Sequence, residues 1–167
     1  IAELAEKPRQ YEKSSRSLRI LVLGGSQGAL AINEVVPELI ADWPEQNRPH
    51  VLHQSGERTL EETQVLYKDR GLSSVEGVEV VPFISNMADA YGWADLVICR
   101  SGASTVSEIA AVGLPSILIP YPHHSDQQQK HNANWLVSAG AAFLLEQKDL
   151  TLATLRSLLL DLHTDRS

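Results

Sequence analysis

Apolar and polar positions follow two different periods along this chain, and the switching between them outlines a fold. Short unbroken apolar runs, LVL at 21–23, LVIC at 96–99 and SILI at 116–119, have the length of strands. Strands without a polar face are those buried on both sides of a sheet. Between them the apolar residues recur three and four apart, which gives a helix one buried stripe. The pattern predicts strands at Arg19–Leu23, Val51–Gln54, Val78–Val81, Leu96–Cys99, Ser116–Ile119 and Ala142–Leu145. It predicts helices at Ala29–Asp42 with a kink at Pro37, then Thr59–Asp69, Asn86–Trp93, Thr105–Val112, Gln128–Ala139 and Thr151–Leu162.

Strand and helix alternate throughout, so the expected class is α/β, a doubly wound Rossmann-like domain of about six parallel strands. Right-handed crossovers carry every strand-to-helix loop to the carboxyl edge of such a sheet, where its ligands bind. Four loops therefore converge: Gly24–Ala29, Phe83–Asn86, Arg100–Thr105 and Pro120–Gln129.

The third of these opens the most informative stretch, RSGASTVSEIAAVGLPSILIP from Arg100 to Pro120. Ser101 to Ser104 are all small, so backbone N–H groups can approach a ligand closely, and the apolar helix that follows ends at Gly113 before Pro115. Free N–H groups and the positive end of the helix dipole make that loop an anion site, with Glu108 one turn in and able to accept from hydroxyls. Thr105 and Glu108 also read as a T-x-x-E capping box, in which the carboxylate serves only its own helix.

The first loop, GGSQGA, follows its strand directly and attracts three competing readings. A P-loop lacks its lysine. A dinucleotide fingerprint has Ser26 in place of the middle glycine, and the second strand ends in His53-Gln54 where an acidic ribose ligand belongs. The pattern Gly24-x-Ser26-x-Gly28, with Asp126 and His131 downstream, resembles a serine nucleophile elbow. Too little chain precedes Ser26 to build the earlier strands and oxyanion loop of a hydrolase, so Ser26 reads instead as a hydroxyl that binds oxygen atoms.

Composition narrows the partners. Of 167 residues 43% are hydrophobic and 21% charged, ordinary for one globular domain, while a net charge of −7 opposes nucleic acid or anionic lipid. The single cysteine, Cys99, lies in an apolar strand, which fits a reducing, cytoplasmic compartment and an inert thiol. No apolar run approaches the length of a membrane span, and the start is too charged for a signal peptide. Residues 1–18 read as a linker without an initiating Met, so the chain is expected to be a piece of something longer. None of the six histidines has metal-ligand spacing, no D-x-D occurs, and no cofactor is expected. The loop YPHHSDQQQKHN at 121–132 is unusually polar, and Gln128 and Gln129 offer the neutral donor and acceptor pairs that read sugar hydroxyls. Asp126 and Gln129 could equally cap the following helix.

Taken together, GGSQGA, VVPFISNMADAYGWADLVICRSGASTVSEIAAVGLPSILIPYPH and DQQQKHNA resemble the C-terminal half of the MurG family of bacterial N-acetylglucosaminyltransferases. The similarity runs from Arg19 to about Glu146, with three loops matching in order and spacing. The resemblance implies a GT-B enzyme whose C-terminal Rossmann-like domain, here 19–167, binds UDP-N-acetylglucosamine. It implies that Ser26 contacts the diphosphate, that the backbone at Ile84 reads the uracil, and that Ala103, Ser104, Thr105, Val106, Ser107 and Glu108 wrap the diphosphate and ribose. Glu108 would accept from the ribose hydroxyls, and Gln129, with Gln128 beside it, would read the sugar. With no metal motif, helix N-termini after Gly28 and Ser104 would stabilise the departing UDP.

The acceptor-binding N-terminal half of the family is missing, and with it every residue expected to activate the acceptor. The chain is therefore expected to bind UDP-sugar without turning it over. The implied parent transfers N-acetylglucosamine to the C4 hydroxyl of lipid-linked N-acetylmuramoyl-pentapeptide, at the cytoplasmic face of the bacterial inner membrane. A separate donor-binding subunit of a two-chain transferase, and a non-catalytic UDP-sugar module, are the alternatives. A UDP-N-acetylglucosamine epimerase shares the architecture but needs acidic catalytic residues that this half does not offer.

Overall fold

The computed structural model describes residues 16–25 and 29–164. Six strands, β1 (Arg19–Leu23), β2 (His50–Gln54), β3 (Val78–Val81), β4 (Leu96–Cys99), β5 (Ser116–Leu118) and β6 (Ala142–Leu144), form one sheet in the order β3-β2-β1-β4-β5-β6. Every neighbouring pair is parallel. The expected doubly wound fold is therefore present, and its strand order reverses between β1 and β4.

Six described helices accompany the strands: α1 (Leu30–Asp42), α2 (Leu60–Asp69), α3 (Met87–Trp93), α4 (Ala103–Val112), α5 (Gln128–Ser138) and α6 (Leu152–Thr164). They divide between the two faces of the sheet. On one face Ile20, Val22, Ile98 and Ile117 pack with Leu39 of α1, Tyr67 of α2 and Leu155 of α6. On the other, Leu21, Val97, Cys99 and Leu118 pack with Tyr91 of α3, Ile109 of α4 and Leu136 of α5. Consecutive strand residues alternate between the two cores, which is why these strands carry no polar face.

Every predicted boundary falls within two residues of the observed one, and Pro37 lies buried inside α1. The informative departure is α4, which starts at Ala103 instead of Thr105. Gly102 is its N-cap residue, in extended backbone with φ −61° and ψ 150°. Thr105 is thus the third helical residue, and its side chain does not cap the helix. The capping-box reading of Thr105 and Glu108 is overturned. At the far end Gly113, with φ 63°, closes α4 in the left-handed conformation that a side chain resists, as the Gly-x-Pro ending predicted.

Two other features tighten the carboxyl edge. The Gly24 N–H donates to the Gln54 carbonyl at 2.8 Å, and a Cβ on Gly24 would sit 2.9 Å from that oxygen. Only glycine lets the first loop leave the sheet this close to β2. Gln127, just before α5, has φ 51°, a left-handed conformation uncommon for a side-chain-bearing residue. No described helix is long and apolar enough to cross a membrane.

Candidate functional site

All four predicted loops contribute to one cavity of about 990 Å³ at the carboxyl edge, which is at the upper end of the size range for small-molecule clefts. Gly24, Gly25, Ala29 and Leu30 line it from the first loop and α1, and Phe83, Ile84 and Ser85 from the loop after β3. Arg100, Gly102, Thr105 and Glu108 come from β4 and α4, and Tyr121, His123, His124 and Gln129 from the loop after β5. Convergence follows from topology, because parallel strands end together while their helices lead away.

Two helix starts border the cavity. The first turn of α1 contributes Leu30 and Ala31, and that of α4 contributes Thr105. Neither Ala29 nor Gly102 makes a side-chain cap. Among the described residues the N–H groups of Ala103, Ser104 and Thr105 have no backbone or side-chain acceptor. Such unpaired donors, at the positive end of a helix dipole, suit an anion.

The walls carry unlike charges. Arg100 is half-buried and held in place: one guanidinium nitrogen donates to the Ile119 and Pro120 carbonyls, each at 3.3 Å, and the other to Gln147 Oε1 at 2.6 Å. Its guanidinium also lies 5.7 Å from the centre of the Tyr121 ring, a cation–π distance. Burial lowers its pKa from the ordinary value, although an arginine keeps its charge. Glu108 is the one carboxylate on the described wall. Its Oε2 accepts from the Tyr91 hydroxyl at 2.8 Å, while Oε1 has no hydrogen bond from the described residues.

The loop after β5 is fixed by a small polar network. The Ser101 hydroxyl donates to the Gln129 carbonyl at 2.6 Å, and the Asn132 amide donates to the Ser101 carbonyl at 3.0 Å. Gln129 Oε1 accepts the Tyr121 N–H at 2.9 Å, so its amide nitrogen remains to donate. Neither glutamine caps α5: Gln128 is exposed, and its amide donates to Asn132 Oδ1 at 3.0 Å. Asp126 accepts the Gln128 N–H at 3.2 Å and makes no described hydrogen bond to His131.

The residues singled out from sequence thus fall into separate places. Ile84, Thr105, Glu108 and Gln129 line the cavity; Ala103, Ser104, Ser107 and Gln128 are exposed beyond its lining, and Val106 is buried in the core. Ser107 donates to the Ala103 carbonyl at 2.9 Å. Ser26 lies outside the described residues, as do Gly28 and the stretch 1–15. The helix start placed after Ser104 lies after Gly102 instead.

Sequence reasoning gave no role to Arg100, Tyr91 or Gln147. For Arg100 a signal existed, since a charged residue directly after a buried strand must find partners at the carboxyl edge. His53, read as a failed ribose ligand, is fully buried: Nε2 lies 2.8 Å from Asn33 Oδ1 and Nδ1 lies 2.8 Å from the Tyr67 hydroxyl. Burial depresses its pKa to about 3. Cys99 at the cavity floor is buried and its thiol is pushed up to about 12, consistent with the inert reading.

Known proteins match this arrangement. The chain is 47% identical over 166 residues to the UDP-N-acetylglucosamine--N-acetylmuramyl-(pentapeptide) pyrophosphoryl-undecaprenol N-acetylglucosamine transferase of Marinobacter nauticus. That alignment covers 99% of this chain and 45% of the relative, so the chain spans under half of the length of such relatives. The structure of MurG from Acinetobacter baumannii superposes with a TM-score of 0.80 at 38% identity, covering 93% of this chain and 45% of that one. A glycosyltransferase of kitacinnamycin, 22% identical with a TM-score of 0.66, covers 94% of this chain and 37% of its own, and shares the fold. Residues 19–167 match the glycosyltransferase family 28 C-terminal domain, and the chain belongs to that family.

Proposed function

We propose that this chain is the donor-binding half of an inverting glycosyltransferase that takes N-acetylglucosamine from UDP-N-acetylglucosamine. The acceptor is the C4 hydroxyl of a lipid-linked N-acetylmuramoyl-pentapeptide. The observation that carries the reading is the pairing of an anion-ready helix start with an open carboxylate, Glu108, in one cavity. A nucleoside diphosphate needs both: donors for the phosphates and an acceptor for the ribose hydroxyls. The activity for which the Marinobacter nauticus relative is named supports the choice of sugar and acceptor.

In this reading Ile84 offers its backbone to the uracil, and the segment Ala103–Ser107 with Ser26 surrounds the diphosphate. Glu108 accepts from the ribose and Gln129 donates to the sugar, with Gln128 beside it. Transfer begins when the acceptor hydroxyl attacks the anomeric carbon from the face opposite UDP. Negative charge then grows on the leaving diphosphate. The N–H groups of Ala103, Ser104 and Thr105 are already oriented by α4, and Arg100 adds a fixed positive charge on the same wall. Donors that need not reorganise lower the barrier most.

Residues 19–167 form the donor domain in this reading, and 1–18 lead into it from an acceptor-binding half. That half supplies the general base and meets the lipid-linked acceptor at the cytoplasmic face of the bacterial inner membrane. Calorimetric titration tests the proposal. UDP and UDP-N-acetylglucosamine are expected to bind and ADP to bind at least about tenfold more weakly, the scale of one lost buried hydrogen-bonding group. Equal affinity for ADP would contradict it, as would turnover of UDP-N-acetylglucosamine and lipid acceptor by this chain alone.

A further inference from the structure

Tyr91 belongs to α3, whose preceding loop lines the cavity with Phe83, Ile84 and Ser85, while Glu108 belongs to α4. A hydrogen bond joins these two walls: the Tyr91 hydroxyl donates to Glu108 Oε2 at 2.8 Å. The Tyr91 side chain is 0% exposed and packs in the core cluster with Val97, Cys99 and Ile109. Its phenol therefore sits on a rigid base. Burial, reinforced by the neighbouring Glu108 charge, raises the phenol's pKa, so the hydroxyl stays protonated and donates.

Glu108 is less constrained by its own helix. It caps nothing, because α4 starts at Ala103 and Gly102 is the cap residue. A glutamate with one oxygen at a cavity and no other anchor would lose rotamer freedom each time it gripped a ligand. We infer that Tyr91 is a positioning residue: its hydroxyl fixes one oxygen of Glu108 so that the other is held ready for the ribose diol. The inference rests on the donor-site reading above, and it assigns the α3 helix a role in ribose recognition as well as in packing. The same bond couples the loop proposed to read the base with the carboxylate proposed to read the ribose.

The test compares UDP with 2′,3′-dideoxy-UDP, which lacks the diol, by calorimetric titration of the chain. The unmodified chain is expected to bind UDP at least about tenfold more tightly than the dideoxy nucleotide. Tyr91→Phe keeps the ring in the core and removes the hydroxyl. It is expected to weaken UDP about five- to tenfold while leaving the dideoxy nucleotide within about twofold, so discrimination collapses. In a Glu108→Gln background, Tyr91→Phe should add no further loss of discrimination, the signature of two residues acting as one unit. Glu108→Asp leaves the core ring untouched and draws the carboxylate back from the phenol, so it should lose discrimination in the same way. Retained discrimination in Tyr91→Phe or Glu108→Asp, beside its collapse in Glu108→Gln, would overturn the positioning role and leave the ribose reading standing. An unmodified chain that binds both nucleotides equally would overturn the ribose reading, and the role of Tyr91 with it.

Discussion

Two tyrosine hydroxyls are buried beneath the carboxyl edge of this sheet, and they end in different circumstances. On the β2 side the Tyr67 hydroxyl meets His53, His53 meets Asn33, and the Asn33 amide reaches the Ser55 carbonyl at 3.3 Å and the Thr59 hydroxyl at 3.2 Å. Every ring nitrogen and amide atom of His53 and Asn33 has a partner there. On the β4 side the Tyr91 hydroxyl meets Glu108, a residue that lines the cavity and whose second oxygen has no partner among the described residues. A saturated network can only hold the fold together. One with spare capacity at a cleft can also hold a ligand. That distinction separates His53, which a motif search places at a ribose position, from Glu108, which a motif search can dismiss as a cap.

The largest effect should come from breaking the saturated network. His53→Phe is expected to cost about 2–4 kcal/mol in urea unfolding, because Tyr67 and Asn33 lose buried partners, while UDP affinity stays within about twofold. The same network predicts a pH dependence. His53 has a folded pKa of about 3, below the unfolded 6.5. Between those values the unfolded chain binds a proton that the folded chain does not. Its contribution is therefore fully present above the unfolded value and is lost as pH falls from there toward the folded one, with a slope approaching about 1.4 kcal/mol per pH unit. His53→Phe should flatten that portion of the stability profile.

Glu108→Ala comes next, with an expected loss of about 1.5–3 kcal/mol in UDP binding and little change in thermal stability. Removing Gln129 should be smaller and more selective. Gln129→Ala should lower affinity for UDP-N-acetylglucosamine by about 0.5–1.5 kcal/mol and spare UDP, since its free amide donor is assigned to the sugar. Equal losses for both ligands would place Gln129 in the support of the loop through Tyr121 alone. The smallest effect belongs outside the cleft: the exposed ion pair between Arg156 and Asp42 should change stability by no more than about 0.5 kcal/mol in Arg156→Ala.

The pattern of apolar runs made the strands, the helices and the four-loop cleft legible in the sequence. Runs such as LVIC admit one reading when helical spacing flanks them, and parallel topology then dictates which loops meet. The start of α4 was harder. Thr105 with Glu108 carries a strong local capping signal, yet Gly102 wins because two more helical residues extend α4 toward the sheet edge and free Glu108 to face Tyr91. Contacts between helices leave no local trace: Tyr91 and Glu108 are 17 residues apart on α3 and α4. His53, too, alternates correctly for a strand, but nothing in its neighbours says that Asn33 and Tyr67 will enclose it. Polar pairing across elements depends on packing angles, which periodicity does not encode.

The contrast between closed and open networks is tested most directly by titrating UDP into His53→Phe and Glu108→Ala side by side, with thermal unfolding of both. His53→Phe should unfold at a lower temperature and bind UDP as the unmodified chain does, whereas Glu108→Ala should keep its melting temperature and bind UDP at least about tenfold more weakly. Unchanged UDP affinity in Glu108→Ala, with a loss of thermal stability instead, would contradict the assignment of that carboxylate to the ligand.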